Sequence, residues 1–82
     1  MTYQIEFKPR ALKDLKAVDK GDAHRIVEKI KLLGEDLAGD VKRLTNFTPE
    51  YRLRIGNYRV LFELEADKVV IYRIRHRKDA YS

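Results

Sequence analysis

One change of rhythm constrains the fold of this chain more than any other feature. Up to about Val41 the apolar residues recur at helical spacing, and beyond it they recur at every second position. Ala11, Leu12, Leu15 and Val18 form one helical stripe over residues 10–18. Ala23, Ile26, Val27, Ile30, Leu33 and Leu37 form a second over 22–38, ending near Gly39. Asp19-Lys20-Gly21-Asp22 reads as the break between them, with Asp22 as the N-cap of the second helix. Three strands with one apolar face each are expected at 51–55, 58–65 and 69–76. Tyr3, Ile5 and Phe7 alternate in the same way, so 2–7 reads as a further strand that Pro9 closes. The expected class is α+β, with an N-terminal strand, a two-helix hairpin and a three-stranded antiparallel meander in one sheet, helices packed on one face.

Turn chemistry sets the register. Gly56-Asn57 is a two-residue hairpin turn that places Ile55 opposite Tyr58, and so Arg54 opposite Arg59. For the next turn a three-residue connection, Ala66-Asp67-Lys68, is expected. It pairs Leu64 with Val70 and Arg59 with Arg75, and sets Val70, Tyr72 and Ile74 on the core face. A two-residue turn would put Arg73 and Arg75 in the core. Arg52, Arg54, Arg59, Arg73 and Arg75 then share the face away from the helices, with Arg77 continuing the parity. Like charges directly opposite on a sheet are destabilising, and local rules are broken most often where function resides.

The 82 residues fit one domain, 1–82, with no internal repeat or linker. Cysteine is absent, which excludes disulfide staples, thiol catalysis and thiolate metal sites. No apolar run approaches the roughly 20 residues that span a bilayer, and Met1 to Glu6 alternate unlike a signal peptide, so a cytoplasmic protein without a membrane partner is expected. The net charge of +5 is concentrated towards the C-terminus: residues 51–82 hold eight Lys and Arg against four Asp and Glu, and six of the nine arginines. Arginine suits bidentate phosphate contact, so the expected partner is a polyanion, nucleic acid before any other.

The closing string His76-Arg77-Lys78-Asp79-Ala80-Tyr81 brackets two proton carriers, an imidazole and a phenol, with guanidinium groups. Cations lower a phenol's pKa by favouring phenolate. His24, beside Asp22, reads as a solvated side chain, and Tyr3, Tyr51, Tyr58 and Tyr72 as core or rim. Glu63, Glu65 and Asp67 have no histidine at ligand spacing, so neither a metal site nor a cofactor is expected. Phosphate loops, dinucleotide fingerprints and Ser/His/Asp arrangements are absent. RNA cleavage by the neighbouring 2′-OH fits what remains. It needs a base, cations for the charge gathering on the phosphoryl oxygens, and an acid for the departing 5′-oxygen.

Phe7-x-x-Arg10-Ala11-Leu12-Lys13, the segment from Tyr51 to Phe62, and the terminal His76-Arg77-x-x-x-Tyr81 closely resemble RelE-type toxins of the RelE/ParE superfamily, a likeness that covers nearly the whole chain. The resemblance implies a bacterial or archaeal toxin of a type II toxin–antitoxin pair, acting as an endoribonuclease on messenger RNA in the ribosomal A site, in contact with ribosomal RNA. It implies a cognate RelB-like antitoxin in a hetero-oligomeric complex. The working positions it implies are Arg52, Arg54, Arg59, Arg77 and Tyr81, with His76 beside them, while Arg73 and Arg75 extend the phosphate-binding set. The best-studied relatives carry lysines at the positions of Arg52 and Arg54, so a base role there passes to Tyr81 or His76. A ParE-like inhibitor of DNA gyrase and a non-catalytic RNA-binding module are the alternatives.

Overall fold

A computed structural model describes residues 2–78 of the chain, in the order β1 (Gln4–Phe7), α1 (Pro9–Ala17), α2 (Lys20–Asp36), β2 (Asp40–Arg43), β3 (Tyr51–Ile55), β4 (Tyr58–Glu65) and β5 (Lys68–His76). The five strands make one sheet in the order β1-β5-β4-β3-β2, antiparallel except for the parallel pair β1 and β5. The expected α+β arrangement holds, with one strand more than expected. β2 has a single apolar residue, Val41, among Asp40, Lys42 and Arg43, and occupies the sheet edge, where one flank is solvated and charge is tolerated.

Pro9 stands in the first turn of α1, where its missing N–H has no partner to lose. Only two residues, Val18 and Asp19, separate the helices, and Asp19, not Asp22, is the N-cap of α2. Asp22 falls within the first turn, where a negative charge suits the helix dipole and where it meets Arg25 at 3.4 Å. At the other end Leu37 adopts a left-handed conformation and its N–H bonds back to Leu33 O, which stops the helix before the expected 38. Ile26, Ile30 and Leu33 bury the α2 stripe against Leu53, Ile55, Val60, Phe62, Val69, Ile71 and Ile74, and Ala11 brings α1 to the same core. Leu12 was expected in the stripe but remains 45% exposed, because a nine-residue helix turns only one narrow face inward. Gly34 lets β1 approach α2 closely. A Cβ there would stand 2.8 Å from Ile5 Cδ1, and the Tyr3 N–H reaches the Gly34 carbonyl at 2.6 Å.

The second hairpin differs from expectation in a way that explains the arginine face. Its turn has two residues, Ala66 and Asp67, so Leu64 lies opposite Val69 and Glu65 opposite Lys68. Phe62 pairs with Ile71 but Leu61 pairs with Arg73, leaving Tyr72 as an extra residue in a β-bulge. The bulge reverses the parity of the strand. Val69 and Ile71 before it and Ile74 after it all face the helices, whereas Val70 and Tyr72, expected in the core, lie on the opposite face. Arg59 is therefore opposite Arg75, as the longer turn also required.

Candidate phosphate-binding face

Each strand contributes alternate side chains to the sheet face away from the helices, and cross-strand pairing sorts them into rows. One row runs Asp40, Arg54, Arg59, Arg75 across β2, β3, β4 and β5. The next runs Lys42, Arg52, Leu61, Arg73, about 7 Å away along the strands. Beyond the bulge the sign changes: Val70 stands between Glu63 and Glu6, and Glu65 is opposite Lys68. The face is thus basic towards the Gly56-Asn57 hairpin and acidic towards the Ala66-Asp67 turn. Tyr72 stands on the acidic part, its hydroxyl 3.3 Å from Glu65 Oε2 and its ring 5.5 Å beneath Lys8 Nζ. Burial first, and then the charges of Glu65, Glu63 and Glu6, push this phenol's pKa up, so Tyr72 stays protonated.

The arginines are held in four different ways. Arg52 is mostly covered and reaches back to β2, its Nη1 lying 3.4 Å from Asp40 Oδ1 and 3.3 Å from the Asp40 carbonyl, while its Nε is buried without a partner among the described residues. Arg59 Nη1 donates to the carbonyls of Gly56 and Tyr58, both at 3.0 Å, which folds its guanidinium over its own hairpin. Gly56 has φ of +56°, the left-handed conformation that the first position of this turn needs. Arg73 is engaged by Asp14 of α1 through Nε at 2.7 Å and Nη2 at 3.2 Å. Arg54 and Arg75 bond to no carboxylate among the described residues.

Arg54 and Arg59 face each other directly, with Arg75 next in the row, an arrangement that costs stability and that an anion would relieve. Arg54→Ala is therefore expected to raise the melting temperature by about 1 to 6 °C while weakening polyanion binding, checked by thermal melts beside a binding titration.

The remaining expected residues are distributed on both sides of the sheet end. His76 is opposite Tyr58 on the helix side, the rings edge to face with centroids 5.6 Å apart, and its Nδ1 accepts the Lys78 N–H at 3.3 Å. The sheet separates that imidazole from the arginine row. Arg77 continues beyond β5, its N–H bonded to the Asn57 carbonyl at 2.7 Å and its side chain exposed, which sets it at the open end of the basic rows. Tyr81 lies outside the described residues.

Sequence reasoning did not find the two acids that organise the face, Asp14 and Asp40. Asp14 sits between Lys13 and Lys16 on a helix, 59 residues from its partner, and no local pattern marks it. Burial alone would raise the Asp14 carboxyl's pKa, but the bonds from Arg73 and the Ile74 N–H, with the charges of Arg73 and Arg75, outweigh it and hold the group below the usual carboxylate range. A carboxyl depressed by folding contributes stability above its unfolded pKa of about 3.9, and that contribution is lost as pH falls through the folded value. The pH dependence of unfolding is accordingly expected to flatten at the acid end in Asp14→Asn, as measured by denaturant melts from pH 7 downwards.

A sequence profile of the family described as "ParE toxin of type II toxin-antitoxin system, parDE" matches residues 5–81. Toxin RelE3 of Methanocaldococcus jannaschii is 33% identical over 87 aligned positions, covering 95% of this chain and 94% of the relative. The chain belongs to the RelE/ParE toxin superfamily. Within it the likeness is to RelE proteins. The RelB-RelE antitoxin-toxin complex of Methanococcus jannaschii contains a chain with a TM-score of 0.77 and 31% identity, over 93% of this chain and 94% of that one. The RelE-RelB complex of Pyrococcus horikoshii gives 0.79 and 25%, over 98% and 100%. The RelE-like architecture, an N-terminal strand, a helical region and a mixed sheet, is the one found here. No described helix of this RelE-like chain is long and apolar enough to cross a membrane.

Proposed function

We propose that this RelE-like toxin is a ribosome-dependent messenger RNA endoribonuclease. The observation that carries the reading is the row of Arg54, Arg59 and Arg75 on adjacent strands, a concentration of cations that folding alone disfavours. In the reaction the 2′-oxygen gives up its proton and attacks the adjacent phosphorus in line. The bond from phosphorus to the 5′-oxygen then breaks and that oxygen takes a proton, leaving a 2′,3′-cyclic phosphate and a 5′-hydroxyl.

Arg52, Arg54 and Arg75 hold the backbone on either side of the scissile phosphate, and Arg59 and Arg77 stabilise the charge on its oxygens. Arginine, with a pKa above 12, is a poor base. Tyr81, four residues beyond Arg77, is the proton carrier of choice, because the imidazole of His76 is turned to the other side of the sheet. End-group analysis of message fragments tests the chemistry. Cyclic phosphate and 5′-hydroxyl termini are expected, and 5′-phosphate termini would refute 2′-OH attack.

The partner that follows from the RelB-bound relatives is a RelB-like antitoxin, made in a hetero-oligomeric complex, that covers the basic rows or displaces the Arg77–Tyr81 segment. A partly acidic, partly apolar segment complements this face. The ParE description of the matching family favours a second reading, inhibition of DNA gyrase without RNA cleavage, since one fold serves several activities.

A further inference from the structure

Strand β5 changes neighbours midway. As far as Ile71 it runs beside β1, which ends at Phe7, and beyond that point α1 lies alongside it. The bulge at Tyr72 falls at this junction, and the two residues that follow it, Arg73 and Ile74, are both bonded to Asp14. Asp14 Oδ2 accepts from Arg73 Nε at 2.7 Å and from the Ile74 N–H at 3.0 Å, and Oδ1 accepts from Arg73 Nη2 at 3.2 Å.

Three donors on one half-buried carboxylate form a forked, charge-assisted contact, the strong kind. Among the described residues no strand flanks the Ile74 N–H on that side, so Asp14 supplies the acceptor that a longer β1 would have supplied. The parity of everything after the bulge depends on that segment staying in place. Without the extra residue, the two-residue turn would direct Arg73 and Arg75 into the core. Arg73, for its part, is the arginine of the face whose guanidinium is gripped in a two-bond fork by a carboxylate.

We propose that Asp14 is a positioning residue for the anion-binding face: it locks the segment after the bulge so that Arg75 stands opposite Arg59, and it withholds Arg73 from the arginines that meet phosphate. The proposal rests on the reading of that face as RNA-binding. Phosphate contact is thereby left to the other arginines of the face, and Arg73 becomes a structural cation.

Two measurements separate these roles from a merely stabilising ion pair. The first is the salt dependence of binding to a single-stranded oligoribonucleotide. Each phosphate contact contributes about 0.7 to the log–log slope. Asp14→Asn retains shape and an acceptor for the Ile74 N–H but releases Arg73, so its slope is expected to steepen by about 0.7, and adding Arg73→Gln should restore the original slope. Glu28→Gln, which makes the same change of charge on α2 beside Lys31, should leave the slope unchanged. A wild-type slope in Asp14→Asn, or equal steepening in Glu28→Gln, would overturn the withholding of Arg73.

The second needs no RNA. In Asp14→Ala, hydrogen exchange at the Ile74 amide should accelerate about tenfold while Ile71, on the β1 side of the bulge, keeps its rate. Unchanged exchange at Ile74 would overturn the positioning role. A wild-type protein that binds no RNA would sink the functional reading and leave the exchange result to decide on Asp14.

Discussion

Tyr81→Phe is expected to lower the single-turnover rate of message cleavage on the ribosome by about 10² to 10⁴, the contribution of a general acid–base group, with binding changed little. The substitution removes one hydroxyl and keeps the ring, so a loss confined to the chemical step assigns proton transfer to that oxygen. His76→Gln is its counterpart. With the imidazole packed against Tyr58 on the helix side, that variant should retain most of the activity. Full activity in Tyr81→Phe would remove the phenol from the mechanism, and a large loss in His76→Gln alone would transfer the proton to the imidazole.

Arg59→Ala is expected to reduce the same step by about 10² to 10³, the usual cost of losing one donor aimed at developing charge. Arg59 is central to its row, between Arg54 and Arg75, and its Nη1 is already fixed on the hairpin carbonyls, so the rest of the guanidinium is pre-aimed before RNA arrives. Arg59→Lys should recover part of the loss, because charge returns and the fork does not. Circular dichroism beside the rate measurement excludes unfolding, and a rate within threefold of the parent in Arg59→Ala would place charge stabilisation elsewhere.

The parts of the fold written in the sequence were those carried by period and turn chemistry. Ile26, Ile30 and Leu33 are the buried stripe that the helical spacing marks, and Gly56-Asn57 sets Arg54 opposite Arg59. The second hairpin shows where such reasoning runs out. A three-residue turn and a two-residue turn followed by a one-residue bulge place Arg75 opposite Arg59 equally well, so that pair was predictable while Leu64 opposite Val69 was not. The run from Val69 to Tyr72 is apolar throughout and gives no sign of which face each residue takes.

β2 leaves no mark in the sequence because a charged edge strand of four residues has almost no alternation. In the candidate site the arginines were legible as a set, because parity alone collects them. Their individual states were not, since those depend on Asp14 and Asp40, acids brought in from other elements by tertiary packing. Arg52 and Arg73 are thereby paired with carboxylates of the protein, whereas Arg54 and Arg75 have no carboxylate partner among the described residues.

Primer extension on a message translated with and without the protein tests the central claim most directly. New 5′ ends at defined positions within codons, present only when ribosomes occupy the message and lost in Tyr81→Phe, are the predicted result. An uncut message together with a loss of DNA supercoiling would contradict it and support the gyrase reading.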